Sequence, residues 1–235
     1  MVSGNADPVA IVAHIQNKVA VVIGSLTVGA VHAQPGRVER KTDTAFANIA
    51  PLIESLVEQI KTRPDTDLVA EARKWAARYK DLLRRSSITR SSDPLELQID
   101  ALERVDLDDA SQLLTKLLAE KQGTTKVFAA RCYEAGEIEL LRFMPQIALP
   151  YLEKAYALQP EGTDVATAFS DTLQEQRELE RAQPIYHTLL LHYQTLAQQK
   201  PAAYQPQIAR TLNNLGNLYS AMQHSRKQSV PIRKR

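Results

Sequence analysis

Glycine, phenylalanine and cysteine are all scarce in this chain. Its 235 residues include only 8 glycines and 4 phenylalanines, too few of the turn-forming and strand-packing residues that a large all-β domain requires. The single cysteine, Cys132, cannot form an internal disulfide, which fits a reducing compartment. Ala, Leu, Gln and Glu dominate after residue 40, and this composition favours helices.

The motifs that hold phosphates or metals are also missing. The sequence contains no G-x-x-x-x-G-K-[ST], G-x-G-x-x-G, H-E-x-x-H or C-x-x-C. His187 and His192 are five residues apart, which places them on different parts of a helix surface and argues against a metal pair. Cys132 is better interpreted as a buried thiol than as a nucleophile. We therefore expect no enzyme activity, no cofactor and no metal site.

Charge is unevenly distributed along the chain, although the net charge is only +2. Residues 93–225 carry 11 basic and 18 acidic side chains, a net charge of −7. This acidic stretch argues against a nucleic-acid groove. Residues 226–235 carry five basic groups and no acid, and we interpret them as a solvated basic tail.

The stretch Val19–Ala33 is uncharged and rich in β-branched residues, and two interpretations stay open. As a β-hairpin, it has strands at Val19–Ile23 and Leu26–Val31 joined by a Gly24-Ser25 turn. As a secretory signal, it is cleaved after Ala33. It is too short to span a membrane, which takes about 20 apolar residues. We favour the hairpin and a cytoplasmic protein, whereas a cleaved signal predicts a periplasmic or secreted one.

Two helices are predicted between residues 38 and 90. The first begins near Thr44, and a second helix runs from about Thr66 to Arg85. Trp75 falls on the apolar side of the second helix, so we assign it to the core. The two helices are expected to form an antiparallel hairpin. The polar segment Ser86–Pro94 is the best domain boundary.

Helix pairs with a regular spacing are predicted after Pro94. Ala110, Ala148 and Ala182 take equivalent places in successive pairs, separated by 38 and 34 residues. We expect helix caps at Asp108 or Asp109 and at Thr163 or Asp164, and a helix start at Thr124 or Thr125. Residues 198–206 are expected to form a proline-containing connection.

The most distinctive motif lies in Arg210–Tyr219. Leu212, Leu215, Gly216 and Tyr219 reproduce the spacing Trp-x2-Leu-Gly-x2-Tyr, with Leu in place of Trp. We expect the two leucines and the tyrosine to form one apolar stripe, and Gly216 to lie where a neighbouring helix approaches closely.

A second motif supports the first. The run Ala148-x3-Leu152-x2-Ala155-x4-Pro160 matches a second-helix pattern Ala-x3-Phe…Pro. On these motifs residues 124–222, and more weakly residues 94–121, resemble the tetratricopeptide repeat (TPR) family in its longer, kinesin-light-chain-like bacterial variety. The chain departs from the family at Leu212, Leu173, Ala130 and Ser170.

The resemblance implies a right-handed superhelix whose concave face binds a peptide or protein without catalysis. Alignment on the motif glycine puts Arg210, Asn213, Asn217 and Ser220 on that face. Alignment on Ser170 adds Asp164, Thr167, Asp171 and Gln174, and alignment on Ala130 adds Thr124, Val127, Arg131 and Glu134. Of these we select as partner-binding residues Arg131, Arg210, Asn213, Asn217 and Ser220, because Arg binds carboxylates and Asn binds peptide backbone.

The combined expectation is an all-α protein: an N-terminal segment (1–37), a helical hairpin (38–90), a solenoid of antiparallel helix pairs (91–225) and a basic tail (226–235). The second helix of the last repeat is expected to be missing or degenerate, so we expect self-association or a docked partner there. The leading function is a partner-binding scaffold or adaptor. The alternatives are an accessory part of a bacterial signalling or defence system, and an exported adaptor.

Overall fold

A computed structural model gives the fold. It describes residues 10, 13–14, 17–18, 44–45, 47–49, 51–55, 67–88, 93–119 and 124–229. These residues are helical apart from short connections, and none of them is in a strand, so the prediction of an all-α protein is confirmed for this part of the chain. The hairpin or signal predicted at Val19–Ala33 lies outside the described residues.

Eight helices can be given bounds. They are α1 (Leu68–Ile88), α2 (Asp93–Glu103), α3 (Leu107–Ala119), α4 (Thr125–Leu141), α5 (Pro145–Leu158), α6 (Thr163–Glu175), α7 (Leu179–Gln199) and α8 (Pro201–Ser229). The chain divides into two compact units: residues 1–122 with 137–144, and residues 123–136 with 145–235. Helix α4 therefore contributes its first part to the second unit and its last part to the first.

Two aromatic residues of α1 anchor the core of the first unit. The rings of Trp75 and Tyr79 are buried and stacked, with centroids 5.3 Å apart. The indole Nε1 of Trp75 donates to the carbonyl oxygen of Leu141 over 2.9 Å. The Tyr79 hydroxyl donates to the carbonyl oxygen of Leu102. Both rings thus bury their apolar surface with their polar atoms satisfied, and the assignment of Trp75 to the core is confirmed.

The first unit also holds two buried carboxylates. Glu137 lies 3.5 Å from the Nε of Arg78 and 3.6 Å from a guanidinium nitrogen of Arg85. Glu139 accepts from Arg142 over 2.8 Å. Guanidinium groups thus offset the cost of removing these carboxylates from water, and we interpret the network as structural.

The same helix-to-helix turn occurs three times. Val105, Phe143 and Arg177 have φ values of 58°, 60° and 65°, and each lies two residues after the end of a helix. In each turn the backbone N–H of the following residue donates to the carbonyl oxygen five residues before it, over 2.9 Å. The pairs are Asp106 to Ala101, Met144 to Glu139 and Glu178 to Leu173. This pairing is the Schellman motif.

The three turns keep the spacing of the sequence repeat. They are separated by 38 and 34 residues, as are the alanines that follow each turn by five positions. Ala110, Ala148 and Ala182 are each completely buried. The repeat predicted from the sequence therefore corresponds to a repeated local structure.

Helices α7 and α8 of the second unit run antiparallel. Near the connection between α7 and α8, the rings of Tyr193 and Tyr204 stack at 6.3 Å. Further from the connection, the Nε2 of His187 lies 2.7 Å from the Tyr219 hydroxyl. From the first contact to the second, the residue number decreases along α7 and increases along α8, as antiparallel pairing requires. Only Lys200 separates α7 from α8, so the prediction of a connection at residues 198–206 was wrong.

In the second unit, helices separated by one intervening helix are also in contact. Arg181 of α7 donates to Glu153 of α5 over 2.6 Å. Asn214 of α8 donates to Asp171 of α6 over 2.9 Å. Each helix of these pairs therefore contacts both its sequence neighbour and the helix beyond it.

Candidate functional site

Helix α8 presents three distinct surfaces. Its buried stripe comprises Thr211, Leu215 and Leu218, at the three- and four-residue spacing of a helix face packed on neighbours. This stripe holds α8 on the rest of the second unit and fixes which side chains remain accessible. A polar cluster lies along one side of the stripe, and uncharged side chains lie along the other.

The polar cluster is centred on Asp171 of α6. Its Oδ1 accepts hydrogen bonds from the Tyr186 hydroxyl at 2.7 Å and from Asn214 Nδ2 at 2.9 Å. Its Oδ2 lies 2.9 Å from a guanidinium nitrogen of Arg210. Both carboxylate oxygens are thus occupied by groups of α7 and α8, so the cluster joins three helices.

Burial and the Asp171 carboxylate together change the ionisation of Tyr186. The residue is 2% exposed. Desolvation raises the pKa of its hydroxyl well above the usual range, and the adjacent negative charge raises it further. Tyr186 therefore stays a neutral donor at physiological pH, which the charged acceptor Asp171 requires.

The predicted site residues are separated by the structure into three groups. Arg210 is exposed, but its guanidinium pairs with a carboxylate of its own chain. Arg131 is half-buried on α4 and takes no part in the Asp171 cluster. Asn213, Asn217 and Ser220 are exposed on one side of α8, at spacings of four and three residues. We call these last three residues the amide strip.

Two residues of the cluster were missed by the sequence reasoning. Asn214 was passed over in favour of its neighbour Asn213, although it follows Arg210 by four residues and so lies one turn along the same face. Tyr186 was not selected as a site residue. A tyrosine in a buried repeat position needs a partner for its hydroxyl, and that requirement was the available signal.

The remaining surface of α8 corrects the expectation for Gly216. The apolar stripe of Leu212, Leu215 and Tyr219 is only partly covered, because Leu212 and Tyr219 are 51% and 39% exposed. A Cβ atom placed on Gly216 would meet nothing within 4 Å, whereas one on Gly136 would lie 2.6 Å from Leu152 Cδ2. The glycine at a close helix contact is therefore Gly136, and Gly216 faces open space.

These exposed residues belong to a longer row. Along α8 the row consists of Gln205, Ala209, Leu212, Gly216, Tyr219 and Gln223, all exposed and none charged. The spacing alternates between three and four residues, which keeps the row on one face of the helix. We call it the neutral strip.

Other kinds of site were sought in the part of the chain that the structure describes. There, no three His, Cys, Asp or Glu side chains are grouped so as to hold a metal ion. None of the described helices combines the length and the apolar character needed to cross a membrane. No protein-family model, curated protein or solved structure matches the chain.

Proposed function

We propose that this chain is a non-enzymatic scaffold of the TPR type that binds a protein or peptide partner. In this proposal the helices of the second unit form a solenoid of helix pairs, and the first helix of each pair lines its concave face. The amide strip of α8 then contacts the partner. The observation that carries the proposal is the Asp171 cluster, because it joins the first helices of two successive pairs side by side.

The repeated turns support the same architecture. A solenoid is built from units that share one local geometry and contact only their neighbours. The Schellman turns at Val105, Phe143 and Arg177 have that regularity, and the last two are separated by 34 residues, the length of a TPR. The contact between Arg181 and Glu153 joins the second helices of two successive pairs.

The amide strip favours a partner of particular chemistry. Each asparagine amide offers donors and an acceptor, so Asn213 and Asn217 match the alternating groups of an extended peptide backbone. Ser220 adds a hydroxyl one turn further along the helix. Arg210 lies on the same helix, but its guanidinium already pairs with Asp171. The proposal is therefore recognition of peptide backbone, with little contribution from the partner's charge.

Affinity capture from the native cell tests this function. The wild-type chain serves as bait beside an Asn213→Ala/Asn217→Ala variant, with mass spectrometry of bait and prey. The expected result is one dominant prey that the variant loses. A Gln194→Ala/Gln198→Ala variant is the matched control, because it removes two exposed amides at the same spacing from α7. Retention of the prey by both variants would contradict the proposed binding face.

A further inference from the structure

The neutral strip is unusual for a helix surface exposed to water. Between Pro201 and His224, Arg210 is the only Lys, Arg, Asp or Glu residue of α8, and it is paired with Asp171. The outer face of a solvated helix normally carries charged side chains. Here it carries two large apolar side chains instead, Leu212 and Tyr219.

The apolar surface continues onto α7. Tyr219 touches His187, and Leu191 follows His187 by one helical turn on the same side of α7. Leu191 is 66% exposed. The Tyr219 hydroxyl already has His187 as a partner at 2.7 Å, so covering its ring leaves no polar atom unsatisfied. Tyr219 can therefore be covered without leaving its hydroxyl unpaired.

The order of large and small side chains along the neutral strip is self-complementary. When a second copy of α8 is laid antiparallel with Leu212 opposite Gly216, symmetry also places Gly216 opposite Leu212. Tyr219 then lies opposite Ala209, and Gln205 lies opposite Gln223. Each large side chain thus faces a small one, and the two glutamines pair with each other through amides that both donate and accept.

Charge and position favour the same arrangement. No charged residue occurs on the strip, so a two-fold pairing sets no like charges against each other. The symmetry axis of this register crosses the neutral strip between Leu212 and Gly216, close to the middle of α8 (Pro201–Ser229). The two helices therefore overlap along nearly their whole length, and residue i contacts j wherever j contacts i, as in an isologous interface.

We propose that the neutral strip is a homodimer interface in which two α8 helices pack antiparallel. The occupant of this surface is a second copy of the chain, with Leu212 of one copy in the space above Gly216 of the other. Leu191 borders the interface. The proposal does not depend on the partner-binding function, since the amide strip lies on a neighbouring face of α8.

Sedimentation velocity of the full chain from micromolar to near-millimolar concentration tests the dimer. The wild-type chain is expected to shift from monomer to dimer. Gly216→Leu should remain monomeric, with Kd raised about tenfold or more, because the new side chain fills the space that Leu212 requires. The monomer should fold normally, since a Cβ there meets nothing within 4 Å and glycine is a poor helix former.

The matched pair Leu212→Ser and Ile147→Ser locates the interface. Ile147 of α5 is 48% exposed, close to the 51% of Leu212, but it does not belong to the neutral strip. Leu212→Ser should weaken the dimer and Ile147→Ser should leave it intact. A wild-type chain that stays monomeric at every concentration overturns the proposal, as does a dimer that both Gly216→Leu and Leu212→Ser retain.

Cysteine cross-linking tests the register. A mixture of Gln205→Cys and Gln223→Cys chains should form a disulfide-linked dimer, because the antiparallel register sets these positions opposite each other. Neither variant should cross-link to itself, because 18 residues of helix separate the positions by roughly 27 Å. Self-cross-linking of Gln205→Cys would indicate a parallel dimer and overturn the register. Cys132 is present in every variant and is 3% exposed, so cross-linking through it gives the background level for this experiment.

The partner-binding proposal and the homodimer proposal can be tested independently of each other. If Gly216→Leu is monomeric and still captures the prey, partner binding is independent of dimerisation and both proposals stand. Loss of the prey on Asn213→Ala/Asn217→Ala with an unchanged dimer supports the amide strip alone. A wild-type chain that stays monomeric and captures a prey which both Gly216→Leu and Leu212→Ser lose would identify the neutral strip as the partner site and overturn the homodimer.

Discussion

The hydroxyl of Tyr186 donates to Oδ1 of Asp171 over 2.7 Å, joining α7 to α6 from within the core. The tyrosine is almost completely buried, whereas the aspartate side chain is 20% exposed and also accepts from α8. A single carboxylate thus links three helices, and its contribution to stability can be measured directly.

We expect Tyr186→Phe to destabilise the protein by about 1–2 kcal/mol, because a hydrogen bond to a charged acceptor is lost while Asn214 and Arg210 remain on Asp171. Asp171→Ala should cost more, since it leaves the buried hydroxyl without an acceptor. Urea denaturation of both single variants and the double variant gives the coupling energy. Tyr156→Phe, outside the cluster, should change stability by less than about 0.5 kcal/mol. Additive effects at Tyr186 and Asp171 would contradict the contact.

Stability should fall at alkaline pH. Burial raises the pKa values of both Tyr79 and Tyr186 above the usual value, so the folded state keeps protons that the unfolded state releases above about pH 10. Their contribution is complete below that pH and is lost as the pH rises further. The free energy of unfolding, measured by urea denaturation between pH 8 and pH 11, should be level at first. Above about pH 10 its slope should approach about −1.4 kcal/mol per pH unit for each tyrosine. Tyr186→Phe should reduce the slope by one tyrosine's share, and an unchanged slope would contradict the assignment.

The same substitution should have opposite effects at two helical glycines. Gly136→Ala puts a methyl group 2.6 Å from Leu152 Cδ2, and overpacking of this kind costs about 1–3 kcal/mol. Gly216→Ala meets no atom and should stabilise the dilute monomer by up to about 1 kcal/mol through helix propensity. Thermal denaturation of the two variants side by side measures both. Destabilisation by Gly216→Ala in dilute solution would show that the position is already covered.

Cys132 should be nearly inert in the native protein. Its side chain is buried, and desolvation raises the pKa of the thiol, an effect that the charge of Lys154 reduces. The thiolate fraction at neutral pH is therefore lower than for a free cysteine. Labelling with a maleimide should be slow in buffer and fast in denaturant, with one thiol modified per chain. Rapid native labelling would mean that α4 opens locally.

Arg177→Gly should stabilise the turn between α6 and α7. Arg177 has φ of 65°, a region that costs L-residues about 1–2 kcal/mol and glycine almost nothing. Part of this gain is offset by the flexibility of glycine in the unfolded chain, so the expected stabilisation is up to about 1 kcal/mol. Chemical denaturation of the variant, with exposed Gln194→Gly inside α7 as a destabilised control, measures it.

The sequence pattern was most informative where burial and repetition agree. The spacing of Ala110, Ala148 and Ala182 predicted the repeat because a small side chain is needed wherever two helices touch, and all three are fully buried. The turns between the helices could not be predicted in the same way. Val105, Phe143 and Arg177 occupy positions where glycine is the usual signal. Because none of them is glycine, the sequence does not indicate their left-handed backbone conformation.

Helix ends and exposed surfaces were harder to predict. The first-turn amide of Asp109 bonds to the side chain of Asp106 over 3.1 Å, so the cap of α3 is Asp106 and not Asp108 or Asp109. Before α6, Gly162 provides no side-chain cap, although Thr163 or Asp164 was expected to cap that helix. At α8 the spacing around Gly216 predicted close packing, but residue spacing does not show which faces of a helix are covered.

The three donors of the Asp171 cluster are synthesised at different times after Asp171. Tyr186 follows Asp171 by only 15 residues, whereas Arg210 and Asn214 follow it by 39 and 43. At translation rates of 5–20 residues per second, the last donor emerges about 2–9 s after its acceptor. Until then Tyr186 is the only one of the three donors that has been synthesised, and α8 supplies the other two.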